Sequence, residues 1–227
     1  MSNSAPRHIL GTFDAALNAL QNNVLMMASL TERNLHNAMS CLLKRDDDLC
    51  NVSIADDEEV DQLEKRIDQD GIDLLRRFQP VASDLRQVVA AMKVSGNLER
   101  IADQAVNIAR KARKLNHAPA LEEIHRLDPM FSEAMSMLHD SLRAYSDGDA
   151  ELARTIKPRD RAVDAMAKEL AEIVTTQMQN SPERITDYLN VIFIARHIER
   201  VGDHAKNIAE DAVYVAAAED IRHSHAQ

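Results

Sequence analysis

Apolar and small residues recur at alternating steps of three and four along most of the chain. The clearest series occupies positions 91, 94, 98, 101, 105, 108 and 112, and it returns at 191, 194, 198, 201, 205, 208 and 212. Steps of three and four place side chains on one face of an α-helix, as in helices that pack in bundles. The pattern therefore predicts long amphipathic helices.

The polar residues within this pattern repeat as well. Residues 98–109 read LERIADQAVNIA and residues 198–209 read IERVGDHAKNIA, so Glu, Arg, Asp and Asn occupy the same offsets in both copies. Earlier matches, such as Asp57 with Asp160, lie at an offset of 103, and a shorter connection after Pro182 than after Pro80 accounts for the change. An internal repeat of this length predicts two similar halves, 1–117 and 118–227, with the linker at 116–119.

Each half is predicted to contain three long helices. Asp46 to Asp48 supply an N-cap and negative charge at the start of one helix, and Gln79-Pro80 ends it because proline disfavours helical backbone in the preceding residue. The predicted fold is all-α, with two tandem repeated three-helix bundles made of six long antiparallel helices. Five Gly, six Pro, no Trp and 3% aromatic residues among 227 agree with this class.

Composition and charge narrow the classes of function. A net charge of −10 argues against a nucleic-acid-binding protein, which needs a basic face to replace phosphate counterions. No run approaches the 18 or so apolar residues that suggest a membrane span, and the first residues show no secretory signal pattern. Cys41 and Cys50 suggest no disulfide framework, and two thiols fit a reducing compartment. The expected location is the cytoplasm, without direct membrane insertion.

Acidic residues lie four positions apart on two helices of each half, which places pairs of carboxylates about 6 Å apart on one helix face. If those helices are neighbours, four carboxylates and one Asn amide converge on one groove. All-oxygen ligands suit multivalent hard cations such as Mg²⁺, Ca²⁺, Mn²⁺ or ferric iron, with Zn²⁺ as a further choice. The candidate ligands are Asp57, Asp61, Glu99, Asp103 and Asn107 in the first half, and Asp160, Asp164, Glu199, Asp203 and Asn207 in the second.

A solvated acidic helix face would produce the same pattern, so both interpretations stay open at this point. The acidic pairs named above are not the Glu-x-x-His pairs of redox di-iron bundles, which disfavours oxygen activation. His204 follows Asp203, but Gln104 stands at the matched position, so His204 is predicted to be a lone surface histidine. Arg100, Arg196 and Arg200 flank the acids and are predicted to form ordinary intrahelical ion pairs.

The doubled motif resembles the PhoU family of accessory regulators of bacterial phosphate uptake. The residues that carry the resemblance are ERIAD and NIA within 99–109, ERVGDHAKNIA at 199–209 and PVASDLR at 80–86. The resemblance implies metal clusters held on two three-helix bundles by the acidic residues named above. Ala102 departs from the Gly found in the second copy at position 202. The family implies iron as the first metal, with zinc, manganese or magnesium as others.

The resemblance also implies a cytoplasmic regulatory adaptor that is not an enzyme. Its implied partners are the ATPase subunit of a Pst-type phosphate ABC importer and a sensor histidine kinase, and it implies a homodimer. Two other hypotheses use the same residues differently. One is a metal-dependent phosphohydrolase, for which the sequence offers no Gly-rich phosphate loop and no nucleophile motif. The other is a metal-free helical scaffold.

Overall fold

The computed structural model describes residues 5–222, with side chains from residue 11 onward, and within that range all regular structure is helical. The two outer ends of the predicted halves, 1–4 and 223–227, lie outside the described residues. Eight α-helices follow in order: α1 Ala5–Lys44, α2 Asp47–Ala55, α3 Asp57–Phe78, α4 Ala82–Asn116, α5 Leu127–Asp147, α6 Ala150–Arg154, α7 Ile156–Asn180 and α8 Ile185–Ala217. Short 3₁₀ turns at Glu122–Arg126 and Pro182–Arg184 precede α5 and α8.

The predicted all-α fold with six long helices is confirmed, with two interruptions. The second and fifth predicted helices are each broken at a single residue, Asp56 between α2 and α3 and Thr155 between α6 and α7. Both residues keep right-handed helical backbone angles, so the chain resumes the helix at once. Each interrupted helix therefore still acts as one long element of its bundle.

Local chemistry sets the helix ends. The Asp46 carboxylate accepts hydrogen bonds from the backbone N–H groups of Asp48 and Leu49, which are otherwise unpaired at the start of α2. At the other end of the interrupted helix, Gln79 adopts left-handed backbone with φ of 48° just before Pro80. Gly148 has φ of 68° and allows the chain to turn after α5.

Two three-helix bundles pack side by side through their third helices. In the first bundle α1 and α3 pack against α4 and against each other, and in the second α5 and α7 do the same around α8. The helix faces in contact carry the predicted apolar series: Leu98, Ile101, Ala105 and Ile108 are fully buried on α4, as are Ile194, Ile198 and Ile208 on α8. Burial of these aliphatic faces is the main driving force for the fold.

The helices α4 and α8 run antiparallel along the junction of the two bundles. Asn97 contacts His204 and Gln104 contacts His197, so residue numbers rise on one helix as they fall on the other. The repeat offset of 100 maps Asn97 onto His197 and Gln104 onto His204, so it turns each of these contacts into the other. The junction therefore has pseudo-twofold symmetry.

The predicted linker is held at both ends by arginines. Arg45 Nη2 donates to the carbonyl oxygens of Asn116 and Ala118, each at 2.5 Å. Arg184 Nη2 donates to Pro119 O at 2.5 Å. The exact division of the halves at 117/118 remains a prediction.

The expectation of two free thiols is wrong. Cys41 near the end of α1 and Cys50 in α2 form a disulfide, with their Cα atoms 5.2 Å apart. The short turn at Arg45-Asp46 folds α2 back beside the end of α1, which brings two residues nine positions apart into bonding range. Thiol content therefore no longer supports a reducing compartment.

None of the helices within residues 5–222 combines the length and the hydropathy that crossing a membrane requires.

Candidate functional site

In the first bundle, α3 and α4 bring acidic residues from both helices into one electrostatic environment. Burial raises the pKa of Asp57, and the charges of Asp61 and Asp103 raise it further, while Arg110 lowers it. Asp61 shares a helix with Asp57, whereas Asp103 belongs to α4. The packing of α3 on α4 therefore brings together carboxylates that the sequence placed on separate helices. We call Asp57, Asp61, Glu99 and Asp103 the first acidic cluster.

Glu99 is the most enclosed carboxylate that α4 contributes to this cluster. Its side chain is 17% exposed, and its Oε2 atom is buried without a hydrogen bond. Arg100 Nε lies 3.2 Å from that oxygen without the alignment of a hydrogen bond. Burial raises the pKa of Glu99, opposed by Arg100 and reinforced by Asp103, Glu64 and Asp61. The carboxylate is thus placed where a cation would be favourable.

Glu64 of α3 is a member of this environment that the sequence analysis missed. Burial raises its pKa, and the charges of Asp68 and Asp61 raise it further. It lies one helical turn after Asp61, so i,i+3 spacing was the signal that could have found it. Comparison of the two halves did not identify it, because the matched position in the second half is Ala167.

The predicted intrahelical ion pairs of Arg100 and Arg196 are confirmed. Arg100 lies 3.2 Å from Glu99 and 3.6 Å from Asp103. In the second bundle, Arg196 Nη1 donates to Glu199 Oε1 at 2.7 Å. Both arginine side chains are more than half exposed, so these pairs contribute little to stability.

The second bundle repeats the acidic arrangement on α7 and α8, and we call Asp160, Asp164, Glu199 and Asp203 the second acidic cluster. Burial raises the pKa of Asp164, and the charges of Asp160 and Asp203 raise it further. Glu199 and Asp164 line the same groove of about 300 Å³ between the two helices. The two bundles thus present matching sets of carboxylates.

Lys206 makes the second cluster different from the first. Its ammonium group donates to Asp160 Oδ2 and, at 2.9 Å, to Asp203 Oδ1. Burial lowers the pKa of Lys206, but the hydrogen bonds to the two carboxylates outweigh it and the net shift is upward. The difference between the copies at this position, where Val106 matches Lys206, was the signal in the sequence that could have found this lysine.

Asp160 is the most buried acid of either cluster, at 6% exposure. Its second oxygen, Oδ1, is buried and has no hydrogen-bond partner. A Cβ atom added at Gly202 would lie 3.5 Å from that oxygen, which is an ordinary van der Waals distance, so Asp160 lies beside the backbone of α8 at this glycine. The group packed beside this glycine is therefore a carboxylate of the cluster itself.

The predicted asparagine ligands, Asn107 and Asn207, lie one turn beyond Asp103 and Asp203 on α4 and α8. Asn107 is half-buried. Asn207 donates its amide to Asn97 Oδ1 at 3.4 Å, across the junction between the bundles. Its hydrogen bond is thus to the other bundle.

His204 is not the exposed surface histidine that the sequence suggested. Its ring is partly buried and its Nδ1 lies 3.0 Å from Asn97 Oδ1. Burial lowers its pKa, and the charge of Arg200 lowers it further. The antiparallel pairing of α4 and α8, which the helix pattern does not specify, encloses this side chain.

Within the part of the chain that the structure describes, no three Asp, Glu, His or Cys side chains converge closely enough to hold one ion. The donor set is nevertheless all oxygen, which suits Mg²⁺, Mn²⁺ or ferric iron. Like-charged carboxylates repel one another, so shared coordination would require their side chains to rotate together. The first acidic cluster fits such an ion better than the second, where an ammonium group already lies between two carboxylates.

Both halves of the chain are similar to known proteins. The PhoU domain family model matches it twice, at residues 24–112 and 127–212. The phosphate-specific transport system accessory protein PhoU homolog of Pseudomonas aeruginosa is 34% identical over 224 residues, covering 97% of this chain and 91% of that protein. The phosphate-specific transport system accessory protein PhoU of Escherichia coli K12 is 33% identical over 220 residues, covering 96% and 90%.

Two solved structures share the arrangement of both bundles. The crystal structure of PhoU from Pseudomonas aeruginosa superposes with a TM-score of 0.88 at 32% identity, covering 91% of this chain and all of that one. The phosphate transport system regulatory protein PhoU from Streptococcus pneumoniae gives a TM-score of 0.85 at 28% identity, covering 92% and 98%. With both domains matched in sequence and both bundles matched in structure, this chain belongs to the PhoU family.

Proposed function

We propose that this chain is a non-enzymatic accessory regulator of a phosphate-specific transport system. The observation that carries the proposal is whole-chain likeness: relatives described as accessory proteins of such systems match 96–97% of the chain at 33–34% identity. A likeness of this extent includes both bundles and the segment between them. The expectation that the chain is not an enzyme agrees with the description of these relatives as accessory and regulatory proteins.

The proposed mode of action is that of an adaptor in the cytoplasm. Its partners are the ATPase subunit of a phosphate ABC importer, whose activity it lowers, and a sensor histidine kinase, to which it signals phosphate sufficiency. Two bundles joined along α4 and α8 supply a continuous helical body with two similar faces, which suits contact with more than one partner. A homodimer is part of the proposal, and sedimentation velocity across a range of protein concentrations tests it.

Metal binding is proposed at the first acidic cluster, where Asp57, Asp61, Glu99 and Asp103 would be ligands and Asn107 would supply a further oxygen. The buried Oε2 atom of Glu99 supports this proposal because it has no hydrogen-bond donor. Iron is the first expectation, with manganese, magnesium or zinc as others. A bound multivalent cation would reverse the sign of this acidic surface and so change which partner surface it attracts.

The proposed function is tested in a bacterial strain lacking its own PhoU-family gene. Phosphate uptake and a phosphate-starvation promoter are measured in phosphate-rich medium, with and without this chain. We expect the chain to reduce both. Unchanged uptake and promoter output, with the protein present at normal levels, would contradict the proposal.

A charge-matched pair of variants separates regulation from metal binding. Glu99→Gln removes a carboxylate of the first acidic cluster, whereas Glu151→Gln removes one from a side chain that is 91% exposed on α6. We expect Glu99→Gln to lose metal and regulatory output, and Glu151→Gln to retain both. Retained regulation together with lost metal would contradict a regulatory role for the ion.

A further inference from the structure

The two acidic clusters occupy matched positions but have different sources of positive charge. In the second cluster, Lys206 donates to carboxylates from both helices, Asp160 on α7 and Asp203 on α8. The lysine side chain is only 22% exposed, and that of Asp160 only 9%. An enclosed ammonium group bridging two helices differs from an exposed pair within one helix such as Arg66 and Asp70, whose side chains are 68% and 45% exposed.

Among the residues whose side chains the structure describes, the first cluster has no equivalent of this ammonium group. Val106 occupies the matched position and is 3% exposed in the core. Among the described residues, the ion-pair partner of Glu99 and Asp103 is Arg100, whose side chain is 60% exposed and lies on the same helix. Arg110 also lowers the pKa of Asp57 through its charge. The four carboxylates still outnumber these two arginines, so the first cluster keeps an excess of negative charge between α3 and α4.

A buried carboxylate requires a positive partner, because an uncompensated charge in the interior is strongly destabilising. Asp160 meets this requirement through Lys206 on one oxygen, while its other oxygen has no hydrogen-bond partner. A multivalent cation placed between Asp160 and Asp203 would be repelled by the ammonium group at close range. Metal binding there would require Lys206 to leave.

We propose that Lys206 is the built-in cation of the second acidic cluster, so that this chain binds a multivalent metal ion at the first cluster and not at the second. This inference rests on the metal-binding part of the proposed function. It divides the two repeats into one exchangeable cation site and one permanently neutralised site. The permanent site fixes α7 to α8, and the exchangeable site lets the junction of α3 and α4 respond to the ion.

The first test is metal stoichiometry. Wild type, Lys206→Met, Lys206→Arg and Lys168→Met are titrated with MnCl₂ by calorimetry, and bound manganese is counted after desalting. We expect Lys206→Met to bind about twice as much manganese as wild type, and Lys206→Arg to remain at the wild-type value because it keeps the charge. Lys168→Met removes a nearby exposed lysine that lines the groove with Asp164 and is expected to behave like wild type.

Location is tested with one variant in each cluster. Asp103→Asn is expected to remove the manganese of wild type, and Asp164→Asn to leave it unchanged. In Lys206→Met, Asp164→Asn is expected to remove the added manganese alone. Equal loading of both clusters in wild type would overturn the proposal.

A second measurement decides the role of Lys206 without metal. In chelator-treated buffer, unfolding midpoints are measured for wild type, Lys206→Met, Asp160→Asn and the double variant. Together these four proteins form a double-mutant cycle. We expect the double variant to lose less than the sum of the two single losses, since each change removes the same pair. Strict additivity would overturn the proposal. A non-additive cycle would support Lys206 as the cation of its cluster. If, in addition, no variant bound manganese, the metal-binding part of the proposed function would be contradicted.

Discussion

His197 of α8 places its Nδ1 atom 2.9 Å from Oε1 of Gln104 on α4. The matched pair, His204 and Asn97, has a corresponding distance of 3.0 Å on the other side of the pseudo-twofold axis. The junction of the bundles thus contains two partly buried imidazoles, each beside an amide oxygen. An imidazole can donate to an amide oxygen while uncharged, so the junction is stable with both rings neutral.

Stability is expected to fall on acidification because of His197. Burial lowers its pKa to about 4, and the positive charges of Arg200 and Lys111 act in the same direction. The unfolded chain binds this proton below about pH 6.5 but the folded chain does not until about pH 4. The stability that neutral His197 contributes is therefore complete above pH 6.5 and falls with pH, by about 1 kcal/mol at pH 5 once solvent screening of this partly exposed ring is allowed for.

Urea unfolding at pH 7 and pH 5 measures this effect. His197→Gln keeps a donor for Gln104 without an ionisable ring and is expected to lose less stability between the two pH values. The comparison also removes the opposite contribution of carboxyls with raised pKa, which is common to both proteins. An identical loss in the variant would contradict the assignment to His197.

Lys93→Met is expected to destabilise the junction by about 2 kcal/mol at pH 7. Lys93 Nζ donates to Asp211 Oδ1 at 3.0 Å, and Asp211 is 7% exposed, so the variant leaves a buried charge without its partner. Burial raises the pKa of Asp211, and Lys93 opposes that rise. Without Lys93 the carboxyl takes up a proton more readily, so the loss should shrink towards pH 4.

Chemical denaturation of the single variants and of Lys93→Met/Asp211→Asn checks this prediction. The double variant is expected to recover part of the lost stability because both charges are gone. No recovery, or the same deficit at pH 4 and pH 7, would point to lost packing of the lysine stem.

Gly202→Ala is expected to stabilise the protein by about 0.5–1 kcal/mol. Glycine within a helix costs conformational entropy, and a Cβ here would meet Asp160 Oδ1 at 3.5 Å and Met137 Cε at 3.7 Å, both ordinary contact distances. The matched residue is already Ala102. Thermal and urea unfolding measure the gain, and Ala102→Gly should show a loss of similar size. A destabilised Gly202→Ala would mean that Asp160 cannot tolerate the added methyl group.

Reduction of the Cys41–Cys50 disulfide is expected to lower stability by about 2–3 kcal/mol, because the bond closes a loop between residues nine positions apart in the unfolded chain. Urea unfolding with and without a phosphine reductant measures this, alongside a thiol count. Cys50→Ser should match the reduced protein and no longer respond to reductant. The bond would be contradicted if the wild-type protein had two free thiols before reduction and if the reductant did not change its stability.

The sequence predicted the helices and the apolar cores because three-four periodicity reports local geometry. The contacts between α4 and α8 depend on which helix faces meet. The helix pattern therefore predicts a surface His204, although its ring is partly buried and lies 3.0 Å from Asn97 Oδ1. The Cys41–Cys50 bond likewise depends on how sharply the chain turns after α1. Spacing along each helix is the same whichever way the helices pack.

The candidate acids were predictable because their spacing repeats, whereas the differences between the halves were harder to interpret. Glu64 has the i,i+3 spacing from Asp61, but the residue at its matched position is not acidic. Lys206 is aligned with Val106 when the repeats are superimposed. An internal repeat identifies the residues that its two copies share. The functional distinction proposed for the clusters lies in a residue that they do not share.

The pseudo-twofold junction of α4 and α8 is the layout of an isologous dimer whose two subunits have become one polypeptide. In a symmetric dimer a single mutation changes both subunits, so the two sites must remain identical. Joining the subunits in tandem removes that restriction. Val106 and Lys206, or Ala102 and Gly202, can then diverge separately while the shared helical frame keeps both halves folded. Covalent duplication thus allows specialisation of each half, which a homodimer of identical half-length chains could not acquire.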